Sequence, residues 1–334
     1  MVIIMIKALF KIIRWPNLLI IIATQCLMRY GLVGPLLHHL PGTLNGQPVP
    51  VPDIGLVMSD FHFFLLVFAT VMLTAAGYVI NDYFDTRTDM INRPERVLVG
   101  KEISRRQALA LHVVLNALGV GAGVYLSWAI GFSFLGIVFI LAAGLLWFYS
   151  TTYKRQLLTG NLLVAFLTAL VPFMVPLFEI PLVNREYASV MVAYHATWKP
   201  LMIWAGGISL FAFLLTLIRE IIKDMEDYEG DWSFGRNSLP VVAGLDVTRY
   251  AVLGLVAVTI VMILGVIFLY LRDTVTVIYG LGLVVLPLVW LAVKMIKARS
   301  PRDYHRASTL TKWIMLAGLG YILVADYLFT TLVG

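Results

Sequence analysis

Charged residues are scarce in this chain. Lys, Arg, Asp and Glu make up 13% of its 334 residues, whereas hydrophobic residues make up 60%. Because soluble globular domains carry about 25% charged residues, this composition excludes that class and indicates an integral membrane protein. Cysteine is almost absent, since Cys26 is the only one. A disulfide framework or a cysteine-based metal site within one chain is therefore excluded.

Long apolar stretches recur along the chain. A helix needs about 20 mostly apolar residues to cross the hydrocarbon core of a membrane. Nine stretches qualify, namely residues 16–35, 61–81, 107–127, 129–150, 158–178, 198–218, 249–271, 274–293 and 311–333. The sequence thus predicts an all-α, polytopic bundle of nine transmembrane helices forming one domain over residues 1–334. The residues before Pro16 predict an amphipathic interfacial helix rather than a removed signal peptide.

Lys and Arg residues are distributed unevenly between the two sides that these spans define. All but four of the 25 lie in alternate loops; the exceptions are Arg29, Arg185, Lys199 and Arg272. Loops rich in Lys and Arg face the cytoplasm, so the N-terminus is predicted to be cytoplasmic and Gly334 external. The expected location is the cell membrane. Because membrane association explains the net charge of +6, no nucleic-acid partner is inferred.

Two Asp triplets share offsets of 0, 3 and 7 residues. The first acidic ladder is Asp82, Asp85 and Asp89, and the second acidic ladder is Asp224, Asp227 and Asp231. At about 100° per residue, these offsets return to nearly the same side of a helix. Each ladder is therefore predicted to line one face of a helix end, on the cytoplasmic side of the membrane.

The segments that follow the two ladders have a similar layout. After the first ladder, Ser104 and Gln107 have the spacing of a capping box at the start of a helix. After the second ladder, Asp246 is the expected N-cap of the next span. Because the layout recurs across four spans, the sequence predicts a bundle with pseudo-duplicated halves that each offer one ladder to the other.

Carboxylate ligands without His or Cys suit Mg²⁺, which completes its shell with water and phosphate oxygens. Two facing ladders would hold a diphosphate, with nearby Lys and Arg contacting its remaining charge. A diphosphate site among apolar helices predicts a polyprenyl diphosphate substrate. If Lys and Arg only neutralised the ladders, the repeated spacing would have no explanation. A cation transporter, the alternative from another class, would need acids nearer the bilayer midplane.

The segments NDYFD, NRPER and REIIKDMEDYEGD resemble the two aspartate-rich motifs of the UbiA superfamily of intramembrane prenyltransferases. The resemblance covers essentially the whole chain and implies nine transmembrane helices, a Mg²⁺ requirement and a prenyltransferase activity. With RNSLP, the motifs are most similar to the branch of digeranylgeranylglyceryl phosphate synthases. That branch implies geranylgeranyl transfer to geranylgeranylglyceryl phosphate in phospholipid biosynthesis. C-prenylation of an aromatic acceptor in quinone biosynthesis stays open as the alternative.

The resemblance also implies partners and residue roles. The partners are a polyprenyl diphosphate donor, a lipid or aromatic acceptor, and membrane lipids. Asp82 and Asp85, with Asn81, would hold one Mg²⁺. The other would lie on Asp224 and Asp227, and Asp89 and Asp231 would complete the ladders. The expected substrate-binding residues are Asn81, Arg93, Arg96, Tyr149, Tyr153, Lys154, Arg155 and Lys223. Arg96, Arg155 and Arg236 are spare cations, and Arg96 is the expected contact of an acceptor phosphate.

Overall fold

The computed structural model describes residues 2–44, 47–51, 54–92 and 94–332. Within these residues, nine helical segments are long and apolar enough to cross a membrane. In chain order, the spans are Trp15–His38, Asp60–Ile91, Arg105–Ala129, Ser133–Thr151, Thr159–Glu186, Lys199–Glu226, Leu245–Leu269, Thr274–Lys297 and Pro301–Thr330. The predicted all-α bundle of nine transmembrane helices is confirmed, and the chain is a multi-pass membrane protein.

Several spans depart from a regular α-helix. The first contains a π-helical segment at Leu27–Val33, and the eighth contains one at Gly280–Val285. The fourth begins with a 3₁₀ turn at Ser133–Gly136. At their ends, the second span continues as helix to Asn92 and the ninth to Leu332.

Shorter elements precede the first span or join the spans to one another. The helical ones are Val2–Ile12, Pro94–Arg96, Tyr153–Arg155, Ala188–Ala193, Tyr228–Ser233 and Leu239–Ala243. After the first span, strands β1 (Pro41–Leu44) and β2 (Gln47–Pro50) pair antiparallel, with Leu44 opposite Gln47. This hairpin is a small addition to the all-α prediction.

The chain divides into two compact units, each assembled from three segments. The first unit comprises Met1–Ala23, Met58–Leu163 and Asp227–Val241. The second unit comprises Thr24–Val57, Val164–Glu226 and Val242–Gly334. The first acidic ladder therefore belongs to the first unit.

In the first unit, the N-terminal helix Val2–Ile12 packs one side against the membrane bundle. Ala8 and Ile12 are fully buried in a core cluster that also contains Val79 of the second span. Phe10, by contrast, is 52% exposed. An amphipathic helix buries one face and leaves the other accessible, as the sequence predicted. The helix ends just before Arg14, whose φ of 52° lies in the left-handed region.

The two predicted helix starts have different outcomes. Ser104 and Gln107 form the capping box, each accepting a hydrogen bond from the other's backbone N–H at 3.2 and 3.0 Å. The Asp246 prediction is wrong, because the seventh span begins after Gly244, which adopts φ 84°. Gly reaches that conformation without steric strain, so the helix starts earlier. Asp246 lies in the first turn and accepts a hydrogen bond from Arg249 at 2.6 Å.

In the second unit, two oppositely charged residues are buried inside the spans. Arg29, in the π-helical segment of the first span, donates to Glu179 of the fifth span at 3.2 Å. Glu179 is fully buried and also accepts the backbone N–H of Val57 at 2.6 Å. Because charges in hydrocarbon are costly when unpaired, this pair joins the two spans and the segment around Val57.

Candidate active site

The first acidic ladder lies on one continuous helix, as its spacing predicted. Asp82, Asp85 and Asp89 all belong to Asp60–Asn92, which extends beyond the predicted end of the second span at residue 81. Asp85 is 4% exposed, and the other two are half-buried. The ladder therefore presents at least one carboxylate to the interior of the first unit.

The second acidic ladder does not lie on one helix, and that prediction is wrong. The sixth span ends at Glu226, and Asp227 is the N-cap of the short helix Tyr228–Ser233, which carries Asp231. Asp and Gly are poor helix formers, and this segment is rich in both, so the helix breaks. Asp224 belongs to the second unit, whereas Asp227 and Asp231 belong to the first.

Asp85 is the centre of the polar network in the first unit. Lys154 donates through Nζ to Asp85 Oδ2 and, at 3.1 Å, to Asn81 Oδ1. Arg236 donates through Nη2 to Asp85 Oδ1 at 2.7 Å. Two cations therefore share one buried carboxylate, which holds both side chains in fixed positions.

Arg236 connects the two ladders. Besides Asp85, it donates to Thr88 Oγ1 at 2.8 Å and to Asp231 Oδ1 at 3.3 Å. Asp231 is 4% exposed, so its carboxylate is as deeply buried as that of Asp85. A single guanidinium thus joins residues of the second span to the short helix after the sixth.

Asp82 is held by a cation from the N-terminal segment. Arg14 donates through Nη2 to Asp82 Oδ1 at 2.7 Å, and its guanidinium lies 4.8 Å from the centre of the Tyr78 ring. Asn17 in turn donates to the Tyr78 hydroxyl at 3.3 Å. The left-handed backbone at Arg14 allows the chain to turn between the N-terminal helix and the first span.

Burial and charge act in opposite directions on the pKa values of these groups. Burial alone would lower the pKa of Lys154, but Asp85 offsets it, so the pKa is raised above its ordinary value. Burial likewise favours a lower pKa for Arg14 and Arg236, and the neighbouring carboxylates raise both. Burial raises the pKa of Asp231, against the opposing effect of Arg236. The three cations therefore stay protonated at neutral pH.

The structure places the other predicted substrate-binding residues as follows. The Tyr149 ring centre is 6.0 Å from Lys154 Nζ, so this tyrosine borders the network. Tyr153 packs near Phe148, and Arg155 is exposed. Lys223 is on the sixth span and donates to Glu220 at 2.8 Å. Arg93 and the side chain of Arg96 lie outside the described residues.

Sequence reasoning missed three participants in this network. The sequence pattern groups Arg14 with the other loop cations, assigns no role to Thr88, and leaves Arg236 as a spare cation. Arg236 is not spare, because Asp85, Thr88 and Asp231 already bind it. A weak signal existed, since Thr88 is one helical turn from Asp85 and Arg236 follows Asp231 in the same short segment.

The donor atoms of the first ladder suit a hard cation. Asn81, Asp82 and Asp85 offer amide and carboxylate oxygens, which are the ligands Mg²⁺ prefers. Lys154 Nζ donates to both Asn81 Oδ1 and Asp85 Oδ2, so these two oxygens lie close to one another. Among the described residues, however, no three His, Cys, Asp or Glu side chains are grouped closely enough for a metal cluster. The residues fit the ion by their chemistry, and each metal-ligand assignment stays a prediction.

The fold and the network together define a class of protein. Oxygen donors and fixed cations meet at the end of a membrane-spanning helix, in a chain that is otherwise apolar. Such an arrangement suits an intramembrane enzyme acting on a phosphorylated, largely hydrocarbon substrate.

Comparison with known proteins identifies the family. The sequence profile of the UbiA prenyltransferase family matches residues 52–317, and the chain belongs to that family. It is therefore an enzyme of the prenyltransferase class, and the resemblance seen in the sequence is confirmed. Family membership also sets aside the cation-transporter alternative.

Curated relatives and a solved structure add detail. Digeranylgeranylglyceryl phosphate synthase from Methanothermobacter thermautotrophicus is 34% identical over 202 residues, covering 60% of this chain and 63% of the relative. The protein of that name from Thermococcus sibiricus is 32% identical over 270 residues, covering 78% and 84%. A UbiA homologue from Archaeoglobus fulgidus, solved with GPP and Mg²⁺, superposes with a TM-score of 0.58 at 17% identity, covering 95% and 99%. This likeness shows a common fold.

Proposed function

We propose that this chain transfers a geranylgeranyl group from geranylgeranyl diphosphate to the free hydroxyl of geranylgeranylglyceryl phosphate, a step of ether-lipid synthesis. The allylic C–O bond to the diphosphate breaks, a C–O ether bond forms, and the hydroxyl proton is released. The observation that carries the proposal is the network in which Lys154 and Arg236 share the buried carboxylate of Asp85. The relatives named digeranylgeranylglyceryl phosphate synthase support the choice of acceptor.

Lys154 and Arg236 act on the charge of the leaving group. As the allylic bond breaks, negative charge builds on the departing diphosphate, and fixed cations stabilise it without having to reorganise. Asp85 keeps both cations in place, and Asn81 adds a second contact for Lys154. Because Asp231 also holds Arg236, both ladders contribute to the position of this guanidinium.

Divalent metal belongs to the proposal as well. Mg²⁺, when bound, neutralises the oxyanions of the diphosphate and makes it a better leaving group. Asn81, Asp82 and Asp85 would hold one ion, Asp224 and Asp227 the other, and Asp89 and Asp231 would complete the ligand set. A homologue of the same fold from A. fulgidus was solved with GPP and Mg²⁺, which supports a role for divalent metal.

The remaining sequence predictions complete the proposed site. Tyr149, Tyr153 and Arg155 would border the substrate near Lys154, and Arg93 and Lys223 would contact the diphosphate. Arg96 would contact the acceptor phosphate. The distribution of Lys and Arg supports a site that opens to the cytoplasmic side of the membrane.

A product assay tests the proposal. Purified protein is incubated with Mg²⁺ and labelled geranylgeranyl diphosphate. The acceptor is either geranylgeranylglyceryl phosphate or an aromatic compound such as a hydroxybenzoate. We expect label only in the ether lipid, and loss of that product in Asp85→Asn. Glu229→Gln is the matched control, because Glu229 is an exposed acid close to Asp231 in the chain. Prenylation of the aromatic acceptor alone would refute the assignment.

A further inference from the structure

The N-terminal helix and the first span form an elbow within the first unit. Arg14, with φ 52°, lies at the turn between the helix Val2–Ile12 and the span that begins at Trp15. On one side of the N-terminal helix, Ala8 and Ile12 are buried in the core cluster. This side fixes the helix to the rest of the unit and leaves the opposite side accessible.

A cavity of about 450 Å³ lies in this elbow and is called the elbow cavity below. Its lining residues are Ile6, Lys7, Phe10, Lys11 and Trp15. The walls are apolar, because the two lysines contribute their hydrocarbon stems beside the other three side chains. Ile6, Phe10 and Trp15 are 46%, 52% and 48% exposed. Since exposed apolar surface of this extent is unfavourable in water, the cavity suits a hydrocarbon chain, which the surrounding membrane supplies.

Two cations border the elbow cavity. Lys7 and Lys11 are four residues apart on one helix, so their side chains lie on the same side of it. Both residues are exposed, and neither makes an ion pair or hydrogen bond with any residue of the part of the chain that the structure describes. A Lys stem that follows an apolar wall carries its ammonium group to the polar layer of the membrane. The pair therefore offers two positive charges to one anionic headgroup.

We propose that the elbow cavity binds an anionic phospholipid of the surrounding membrane. Its hydrocarbon chain lies along Phe10 and Trp15, and its phosphate contacts Lys7 and Lys11. A helix with Lys on its polar side and large apolar side chains beside it is the usual binder of anionic membrane surfaces. Trp15 begins the first span, and Trp is typical of the boundary between headgroups and hydrocarbon. The site requires neither donor nor acceptor, so it is independent of the proposed reaction.

Occupancy of the elbow cavity should stabilise the first unit. The cavity spans the turn, since Lys11 precedes Arg14 and Trp15 follows it. Arg14 donates to Asp82 at 2.7 Å, so a lipid that contacts both sides of the turn favours the backbone that makes this ion pair. We expect phosphatidylglycerol to raise the midpoint of thermal unfolding by about 2 °C more than phosphatidylcholine does. An equal effect of the two lipids would contradict a site that selects anionic headgroups.

Quenching of Trp15 fluorescence tests the site directly. Protein in detergent, without donor or acceptor, is titrated with brominated phosphatidylglycerol or brominated phosphatidylcholine. The Trp15→Phe variant is measured in parallel, and the difference isolates the signal of Trp15. We expect half-maximal quenching at about tenfold less phosphatidylglycerol than phosphatidylcholine. The double variant Lys7→Gln/Lys11→Gln should lose this preference, and Lys7→Arg/Lys11→Arg should retain it.

The matched control is Lys101→Gln/Arg106→Gln, because it removes two exposed cations from the same unit. Its quenching should equal that of wild type. Equal quenching of wild type by the two lipids, or quenching by neither, would overturn the proposal. Displacement of phosphatidylglycerol by an equal concentration of geranylgeranyl diphosphate would identify the cavity as a substrate site and would overturn it as well.

Discussion

Removing the Arg236 guanidinium should destabilise the first unit more than removing any exposed cation near it. Arg236 makes three hydrogen bonds, to Asp85 at 2.7 Å, Thr88 at 2.8 Å and Asp231 at 3.3 Å. Hydrogen bonds to charged groups contribute about 1.5 to 3 kcal/mol each, and breaking a buried ion pair costs about 3 to 5 kcal/mol. The side chain is 11% exposed and Asp85 keeps Lys154, which reduces the effect. We expect Arg236→Gln to lower the free energy of unfolding by about 3 kcal/mol.

A cysteine placed in the first unit provides the assay. In a Cys26→Ser background, Ser150→Cys puts the single thiol at a position that is 4% exposed, so a thiol-reactive fluorophore reports unfolding of that unit in detergent. For a chain of this size, 3 kcal/mol corresponds to a fall of about 5 °C in the midpoint. Arg155→Gln, which removes an exposed cation, should change the midpoint by less than about 1 °C. Equal midpoints for the two variants would refute the reasoning.

A double-mutant cycle measures how much the contact between Arg236 and Asp231 contributes to the free energy of unfolding. Arg236→Gln and Asp231→Asn remove the two ends of the 3.3 Å contact singly and together. Because the residues touch, their effects should not add, and a coupling of about 1 to 2 kcal/mol is expected. Additive effects would mean that Arg236 is held by Asp85 and Thr88 alone.

Three further predictions concern activity and topology. Asp82→Ala and Asp224→Ala should each lower turnover at least about a hundredfold, because losing a metal ligand costs several kcal/mol of transition-state stabilisation. Near-normal turnover in either variant would exclude that carboxylate as a metal ligand. A chelator should abolish activity and added Mg²⁺ should restore it; activity that persists in chelator would contradict metal dependence. In a Cys26→Ser background, cysteines replacing Arg87 and Leu44 should label from opposite sides of the membrane, and labelling from one side would contradict the predicted orientation.

The spans were predictable, and their polar ends were not. Hydropathy identifies the apolar residues that cross the membrane, but a helix can continue into polar residues beyond them. Hydropathy therefore does not predict where the helix ends. The second span accordingly runs on to Asn92 and carries the first ladder with it. The ninth begins at Pro301, ahead of its apolar run. There Ser300 and Asp303 exchange hydrogen bonds as an N-terminal cap, a signal the sequence contained.

The site was predictable where residues are close in sequence and unpredictable where they are distant. The offsets between Asp82, Asp85 and Asp89 were sufficient to predict that these three residues lie together on one helix. The contacts of Asp82 with Arg14 and of Asp85 with Arg236 join residues 68 and 151 positions apart, and only the folded chain brings these together. The break at Asp227 was missed because a regular spacing of carboxylates does not require a continuous helix.

The buried pair of Arg29 and Glu179 constrains how the protein is made. An Arg inside a span costs about 2.5 to 3.5 kcal/mol during insertion into the membrane. Its partner follows 150 residues later, so the first span leaves the ribosome long before the charge that stabilises it exists. Until the fifth span arrives, the first must keep its guanidinium in water or at the lipid headgroups. Assembly of this part of the second unit therefore waits for the fifth span, whose Glu179 binds both the first span and the segment at Val57.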